Sequence, residues 1–337
     1  MASYLNSAVT RPGQKLQAAD NRQVGAKPTA TDPHELHIAE YGGEVTGTIA
    51  RKSIMEGFVN KRPIKGTSIV ENFRVGESTL QKVTPGEPTP ATPNQSGAVS
   101  VRVDTVIEAR NIVPLLDDFQ SSYDARAAIG QEHGKKLAKF IDQAFLIQAI
   151  KAAQMDATGL PAGWVGGSKQ TLKDAASASD PAALYAGFAD LFAQMEDKDV
   201  DPVDDGLIMV TRPDVFYKLL QADQLVDTTL VTSAGNEIKA KVWQAFGVPI
   251  YRSNNLPNAA VTGHYLSNEG NGNAYDGDFS TVVACAFSPK ALLAGETILV
   301  TPKVFYDEIS NAWFIKALTA FAVTPNHPGY AGVILKP

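Results

Sequence analysis

Ile69-Val-Glu-Asn-Phe-Arg-Val75, then Pro85-Gly-Glu-Pro-Thr-Pro-Ala-Thr-Pro93, then Val99-Ser-Val-Arg-Val-Asp104 set the architecture of this chain. Ile69, Val70, Phe73 and Val75 suit one strand. Val99, Val101 and Val103 alternate with Ser100, Arg102 and Asp104, which is the period of a strand with one apolar face. The four prolines between them forbid helix and favour an exposed, extended tip. Residues 62–110 therefore read as a long two-stranded arm with a stiff end. Such an arm is marginal in water on its own. It must lie on another surface, and a neighbouring subunit is a candidate to provide it.

The strongest helical pattern follows directly. Phe119, Tyr123, Ala127, Leu137, Phe140, Ile141, Ala144, Phe145 and Ile150 recur at helical spacing across residues 115–153. Asp117 and Asp118 suit the positive end of that helix dipole. Gly130 and Gly134 each weaken the helix by about 1 kcal/mol relative to alanine; they mark a bend or a close helix contact. Before the arm, Leu36 to Ile54 suit a short helix with a break at Gly42–Gly43. After the long helix, residues 154–180 are rich in glycine and serine and read as a loop. A helix is expected at 182–195, a strand at 207–210, and a short helix after Arg212-Pro213-Asp214. Gly235 to Ala245 reads as an amphipathic helix and Phe246 to Tyr251 as a strand. Residues 268–278 form a Gly/Asn loop, and 281–287, 297–305 and 313–323 read as strands or buried segments. The fold class is α+β.

The chain has 337 residues and a formal net charge of -6. That length buries a sizeable core without disulfides or metals. Cys285 is the only cysteine, which excludes an intrachain disulfide and fits a reducing cytoplasm. Met1 to Thr10 do not read as a signal peptide, and no stretch approaches a membrane span. A mildly acidic chain is a poor general binder of phosphate backbones. The first thirty residues differ: Arg11, Lys15, Arg22 and Lys27 face a single acid, Asp20, for a net +3. With few large aliphatics, residues 1–35 read as an extended arm.

No motif points to catalysis or to a cofactor. His34-Glu35-Leu36-His37 places its histidines three apart after a proline, where a zinc helix needs four. Asp197, Asp199 and Asp201 have the start of a calcium loop, but Pro202 and Ile208 stand where glycine and glutamate are required. Gly270, Gly272 and Gly277 lack the lysine and the spacing of a phosphate loop. Trp164, Trp243 and Trp313 are simplest as core or interface anchors.

Several short segments carry a resemblance in colinear order. They are Tyr41-Gly-Gly-Glu-Val45 with Ala50-Arg51, and Phe73-Arg-Val75 with Thr79 and Pro85-Gly-Glu87. Asp117-Asp118 with Tyr123-Asp-Ala-Arg126, and Ile208 to Val210 with Pro213-Asp214, come next. Phe246-Gly-Val-Pro-Ile250 and Ala331-Gly-Val-Ile334 complete the series. Together they resemble the major capsid proteins of T-odd-type, short-tailed bacteriophages (podoviruses). The resemblance implies the HK97-like fold: N-terminal arm, extended β-loop, peripheral domain with a long spine helix, and axial domain. The matching division is 1–61 for the arm and short helix, 62–110 for the loop, 111–180 for the peripheral domain, 181–300 for the axial domain, and 301–337 for the return to the periphery. It implies a non-enzymatic subunit that forms hexamers and pentamers of an icosahedral head around double-stranded DNA. The implied partners are other copies of itself, scaffolding and portal proteins, a decoration protein as an option, and weak non-specific DNA contact, with no membrane. The implied location is the virion, after assembly in the host cytoplasm. Arg51, Arg74, Pro85, Glu87, Asp117, Asp118 and Arg126 become candidates for intersubunit contact. Arg11, Lys15, Arg22 and Lys27 become an inner basic arm. The alternatives are an encapsulin-like shell and a soluble α+β hydrolase using an acidic cluster.

Overall fold

A computed structural model describes residues 41, 43–49, 52–83, 93–115, 125–221, 226–231 and 237–337. These fall into two compact units. One comprises the described part of Met1–Ser53 with Val106–Lys139 and Ile298–Thr319. The other comprises Ile54–Thr105, Phe140–Thr297 and Ala320–Pro337.

In the first unit, helix α1 (residues 43–49) lies on the first half of the long helix α2 (Ala125–Gln154). Tyr41, Val45 and Ile49 are buried. The two glycines of α2 make this approach fit. A Cβ on Gly134 would stand 2.7 Å from Cβ of Thr48 and 2.9 Å from the Val45 carbonyl, and one on Gly130 would stand 3.0 Å from the Tyr41 ring. The glycines thus serve a close helix contact. Gly43 lies inside α1, so the expected break does not fall there; Gly42 is outside the described residues. The contact has a polar centre. The Tyr41 hydroxyl donates to His133 Nδ1 at 2.7 Å, and His133 Nε2 donates to Asn111 Oδ1, also at 2.7 Å. Asn111 belongs to β4 (Ile107–Pro114), which pairs antiparallel with Ala312–Thr319 of β14 (Ala312–Pro325).

The second unit is built on a seven-stranded mixed sheet in the order β5-β15-β12-β6-β9-β8-β7. Its strands are β5 (Ser168–Thr171), β6 (Ile208–Thr211), β7 (Val226–Val231), β8 (Glu237–Ala245), β9 (Val248–Arg252), β12 (Val282–Phe287) and β15 (Ala331–Leu335). The centre, Val-Val-Ala-Cys-Ala-Phe of β12, is buried throughout, as a continuous apolar run demands. Helix α3 (Pro181–Glu196) covers one face. Its Leu184, Phe188, Leu191 and Met195 cluster with Met209, Val283 and Ile334. Each large apolar side chain so buried contributes about 1.5–3 kcal/mol. Asp180 caps α3 by accepting from the Ala182 N–H, and Pro181 opens it. Helix α4 (Pro213–Leu219) follows β6.

Two expectations are corrected here. Gly235 to Ala245 is not a helix: Glu237–Ala245 is strand β8, paired antiparallel with β7 and β9. Ile238-Lys-Ala-Lys-Val242 alternates strictly, and that period prevailed over helix propensity. Phe246 and Gly247, both at positive φ, make the two-residue turn into β9. Phe246 holds this costly conformation because its ring packs 4.7 Å from Tyr185 and 6.0 Å from Phe192. The loop expected at 154–180 also contains β5, an edge strand parallel to β15, and a helical turn at Ala175–Ala178. The expected helix at 182–195 and the strands at 281–287, 297–305 and 313–323 are present, the last two as parts of β13 (Leu292–Asp307) and β14. In this unit, α2 from Phe140 onward is buried on nearly every side. The short strand β1 (Lys61–Pro63) pairs parallel with Ala294–Glu296 of β13, and β10 (Ala260–Val261) pairs antiparallel with β11 (Gly277–Asp278).

The glycine contact is testable. Gly134→Ala gains about 1 kcal/mol of helix propensity but inserts a methyl into a filled space, at about 1–3 kcal/mol. Urea unfolding of dissociated subunits should show a net loss. A stabilised Gly134→Ala would remove the contact from the account.

Candidate assembly surface

Strands β2 (Ile69–Val75) and β3 (Ser96–Arg102) pair antiparallel from Ile69↔Arg102 to Val75↔Ser96. Among the described residues they pair only with each other. Their two faces differ. Val70, Asn72 and Arg74 of β2, with Val99 and Val101 of β3, point inward; Val101 clusters with Leu293 and Ala322. This part of the arm rests on its own chain, which qualifies the expectation that a neighbour supplies the whole support.

The inward face is fastened by polar contacts. Arg74, 6 % exposed, donates from its guanidinium to the backbone carbonyls of Pro325 and Asn326. It also lies over the Trp164 ring, 5.2 Å from the centroid. Burial lowers its pKa from the usual range, yet an arginine stays charged. Asn72 Nδ2 donates to Asn326 Oδ1 at 2.9 Å. Trp164 Nε1 donates to the Val75 carbonyl at 2.9 Å, and the Glu77 N–H donates to the Ala162 carbonyl at 2.8 Å. On its other side Trp164 stacks on His327 at 4.0 Å, and Tyr330 meets His327 edge-on at 4.6 Å.

The outward face is apolar and open. Phe73 is 74 % exposed and Val75 63 %, with Ile69 beside them and Leu80 wholly exposed just beyond. Exposed apolar residues concentrated on one ribbon mark an interaction surface. The ribbon's unpaired edges add the same pressure towards association.

Of the intersubunit and inner-arm candidates drawn from sequence, Arg74 alone has a described side chain, and its hydrogen bonds run to carbonyls of its own chain. Arg51, Pro85, Glu87, Asp117, Asp118, Arg11, Lys15, Arg22 and Lys27 lie outside the described residues, as do His34 and His37. Arg126 stands in the first turn of α2, with its side chain outside what is described. Sequence reasoning missed Asn326 and His327, which no local signal links to β2. It could have found the open face, because Ile69, Phe73 and Val75 share a parity opposite to Val70. The acidic turn is structural: Asp201 accepts from the Val203 and Asp204 N–H groups, which lowers its pKa. No cluster of three or more metal-ligating side chains occurs among the described residues. Cys285 is buried with its thiol pKa raised by burial.

The fastened ribbon, the long helix and the mixed sheet follow the layout that the HK97-like resemblance implies. A family model for Gp10A-like major capsid proteins matches residues 93–292, more than half of the chain, and the chain belongs to that family. Its fold is similar to that in the capsid structure of cyanophage P-SCSP1u, at 17% identity and a TM-score of 0.72, over 85% of this chain and 88% of that one. It is also similar to the mature capsid of bacteriophage PhiM1, at 23% identity and 0.69, over 84% and 87%. A virus-like particle from Pyrococcus furiosus is more distant, at 11% identity and 0.51, over 88% and 98%. No curated protein matches the chain. The chain is thus a structural subunit of a phage head, assembled from many copies of itself and not an enzyme. The encapsulin-like and hydrolase readings are not favoured.

Three histidines, His133 buried and His264 and His327 half-buried, give the subunit an acid limit. Burial lowers the pKa of His133, of His264 between the Phe140 and Tyr275 rings, and of His327, the last to about 4 with help from Arg74 and Lys290. Each is therefore less protonated in the folded chain than unfolded. Their contribution is complete above the unfolded value of about 6.5 and is lost as pH falls towards the folded pKa. Denaturant unfolding between about pH 7 and pH 5 should show falling stability, with His327 contributing on the order of 1 kcal/mol after allowance for partial solvent access. His327→Gln should flatten the slope; an unchanged slope would contradict this assignment.

Proposed function

We propose that the outward face of β2–β3 is laid on a neighbouring copy, and that this contact joins subunits into the hexamers and pentamers of an icosahedral head. The observation that carries the reading is the exposed row Ile69, Phe73 and Val75 on a ribbon whose other face is already fastened. In this reading 62–110 is the extended loop, α2 the spine of a peripheral domain comprising 111–180 and the return at 301–337, and 181–300 the axial domain; residues 1–61 are the N-terminal arm with its short helix. Arg51, Asp117, Asp118 and Arg126 supply ion pairs between subunits, and the tip around Pro85 and Glu87 reaches furthest over the neighbour. The head is that of a short-tailed phage, built in the host cytoplasm with scaffolding and portal proteins, open to a decoration protein, and filled with double-stranded DNA.

Substituting Phe73 and Val75 together by serine tests the contact. Both side chains are exposed, so isolated subunits should melt as wild type, within about 0.5 kcal/mol. Shell yield, read by sedimentation and electron microscopy, should fall sharply. Wild-type shells from the double variant would sink the proposal.

The basic arm receives a separate test. Changing Arg11, Lys15, Arg22 and Lys27 to glutamine should reduce assembly yield or DNA retention at low salt, with the difference shrinking as salt rises. Equal yields of full particles at every salt concentration would leave the arm as a solvated leader.

A further inference from the structure

A pocket of about 540 Å³ opens beside the root of the ribbon, where β1, the turn Pro289–Ala291 and the segment after β14 come together. Arg62 and Lys290 are its charged lining residues, and Asn60 and Asn326 add amides; no carboxylate lines it among the described residues. Lys290 is partly answered by Asp205 at 2.6 Å, whereas the Arg62 guanidinium, among the described residues, donates only a long 3.4 Å bond to Asn72 Oδ1. The His327 ring forms part of the wall, and its Nδ1 is buried with no hydrogen-bond partner among the described residues. The charged groups acting on His327 are Arg74 from β2, Lys290 from the turn and, opposing them, Asp205; Tyr330 packs on its ring. Two cations, two amides and a neutral imidazole make a recess short of negative charge. Fixed guanidinium and ammonium donors match oxyanions.

We propose that this pocket binds a small oxyanion, carboxylate or tetrahedral, held by Arg62 and Lys290 with the amide of Asn60. Asn326 and His327 belong both to the pocket wall and to the fastening of β2, so an occupant acts at the root of the ribbon. An anion also opposes the positive field at His327. Binding therefore favours protonation of the ring, and by linkage protonation favours binding.

Equilibrium dialysis of radiolabelled sulfate against the full chain tests this, because sulfate stays fully ionised from about pH 7 to about pH 5 and only the protein titrates. One saturable site per chain is expected, tightening as the pH falls towards about 5. Arg62→Gln with Lys290→Gln should weaken it about 10-fold or more; both side chains are solvent-accessible, and circular dichroism verifies the fold. His327→Gln should retain the site and flatten its pH dependence. Stronger competition by acetate assigns a carboxylate ligand, and stronger competition by phosphate a tetrahedral one. Absence of a saturable site, or sulfate binding that survives the double substitution, overturns the proposal.

Discussion

A two-stranded ribbon cannot hold itself straight in water, and the fastening of β2 by Arg74 and Trp164 answers that constraint. Arg74 donates to the backbone carbonyls of the last residue of β14 and the one after it, while Trp164 donates to the carbonyl that ends β2. These bonds are made on one face only. They fix the direction of the ribbon and leave its apolar residues facing out. A ribbon fastened on both faces would bury Phe73 and have nothing to offer a neighbour. An unfastened ribbon would lose too much conformational freedom on docking to dock well. One-sided anchoring fixes the ribbon and leaves Phe73 and Val75 exposed.

The same logic runs through the body that carries the ribbon. The core around β12 and α3 is an apolar cluster and specifies the sheet. Polar side chains enter the interior where one segment must be held against another. Lys198 donates to the carbonyls of Gly166 and Gly167 and to the Ser168 hydroxyl, and so sets the edge on which β5 begins. Lys151 does the same for the carbonyls of Ala274 and Asp276. Asp142, 1 % exposed, accepts from the N–H groups of Ile54 and Met55 and from Asn255. Such charged groups hydrogen-bonded to the backbone place loops in a way that apolar packing cannot.

Much of this plan was legible in the sequence because it is local. The period of two in Val99, Val101 and Val103, the long run of helical spacing through Ile150, and the apolar Val282 to Phe287 all led to the elements found. The strand at Glu237–Ala245 was misread although Ile238-Lys-Ala-Lys-Val242 alternates. The edge strand β5 was missed because Ser-Lys-Gln-Thr has no apolar face and exists only through its pairing with β15. The fastening of β2 was not legible at all: Trp164 stands 89 residues from Val75 and Asn326 stands 252 from Arg74. No local rule links residues at that separation. The charged candidates drawn from the resemblance rest on motif order alone, and Arg74 turned out to be occupied within its own chain.

The account stands on the outward face of β2–β3 being free in the subunit and covered in the shell. Hydroxyl-radical footprinting of the unmodified protein, with Phe73 and Leu80 followed in dissociated subunits and in assembled heads, measures this directly. Strong labelling of both residues is predicted in the subunit and strong protection in the head. Equal labelling of Phe73 in the two states would contradict it.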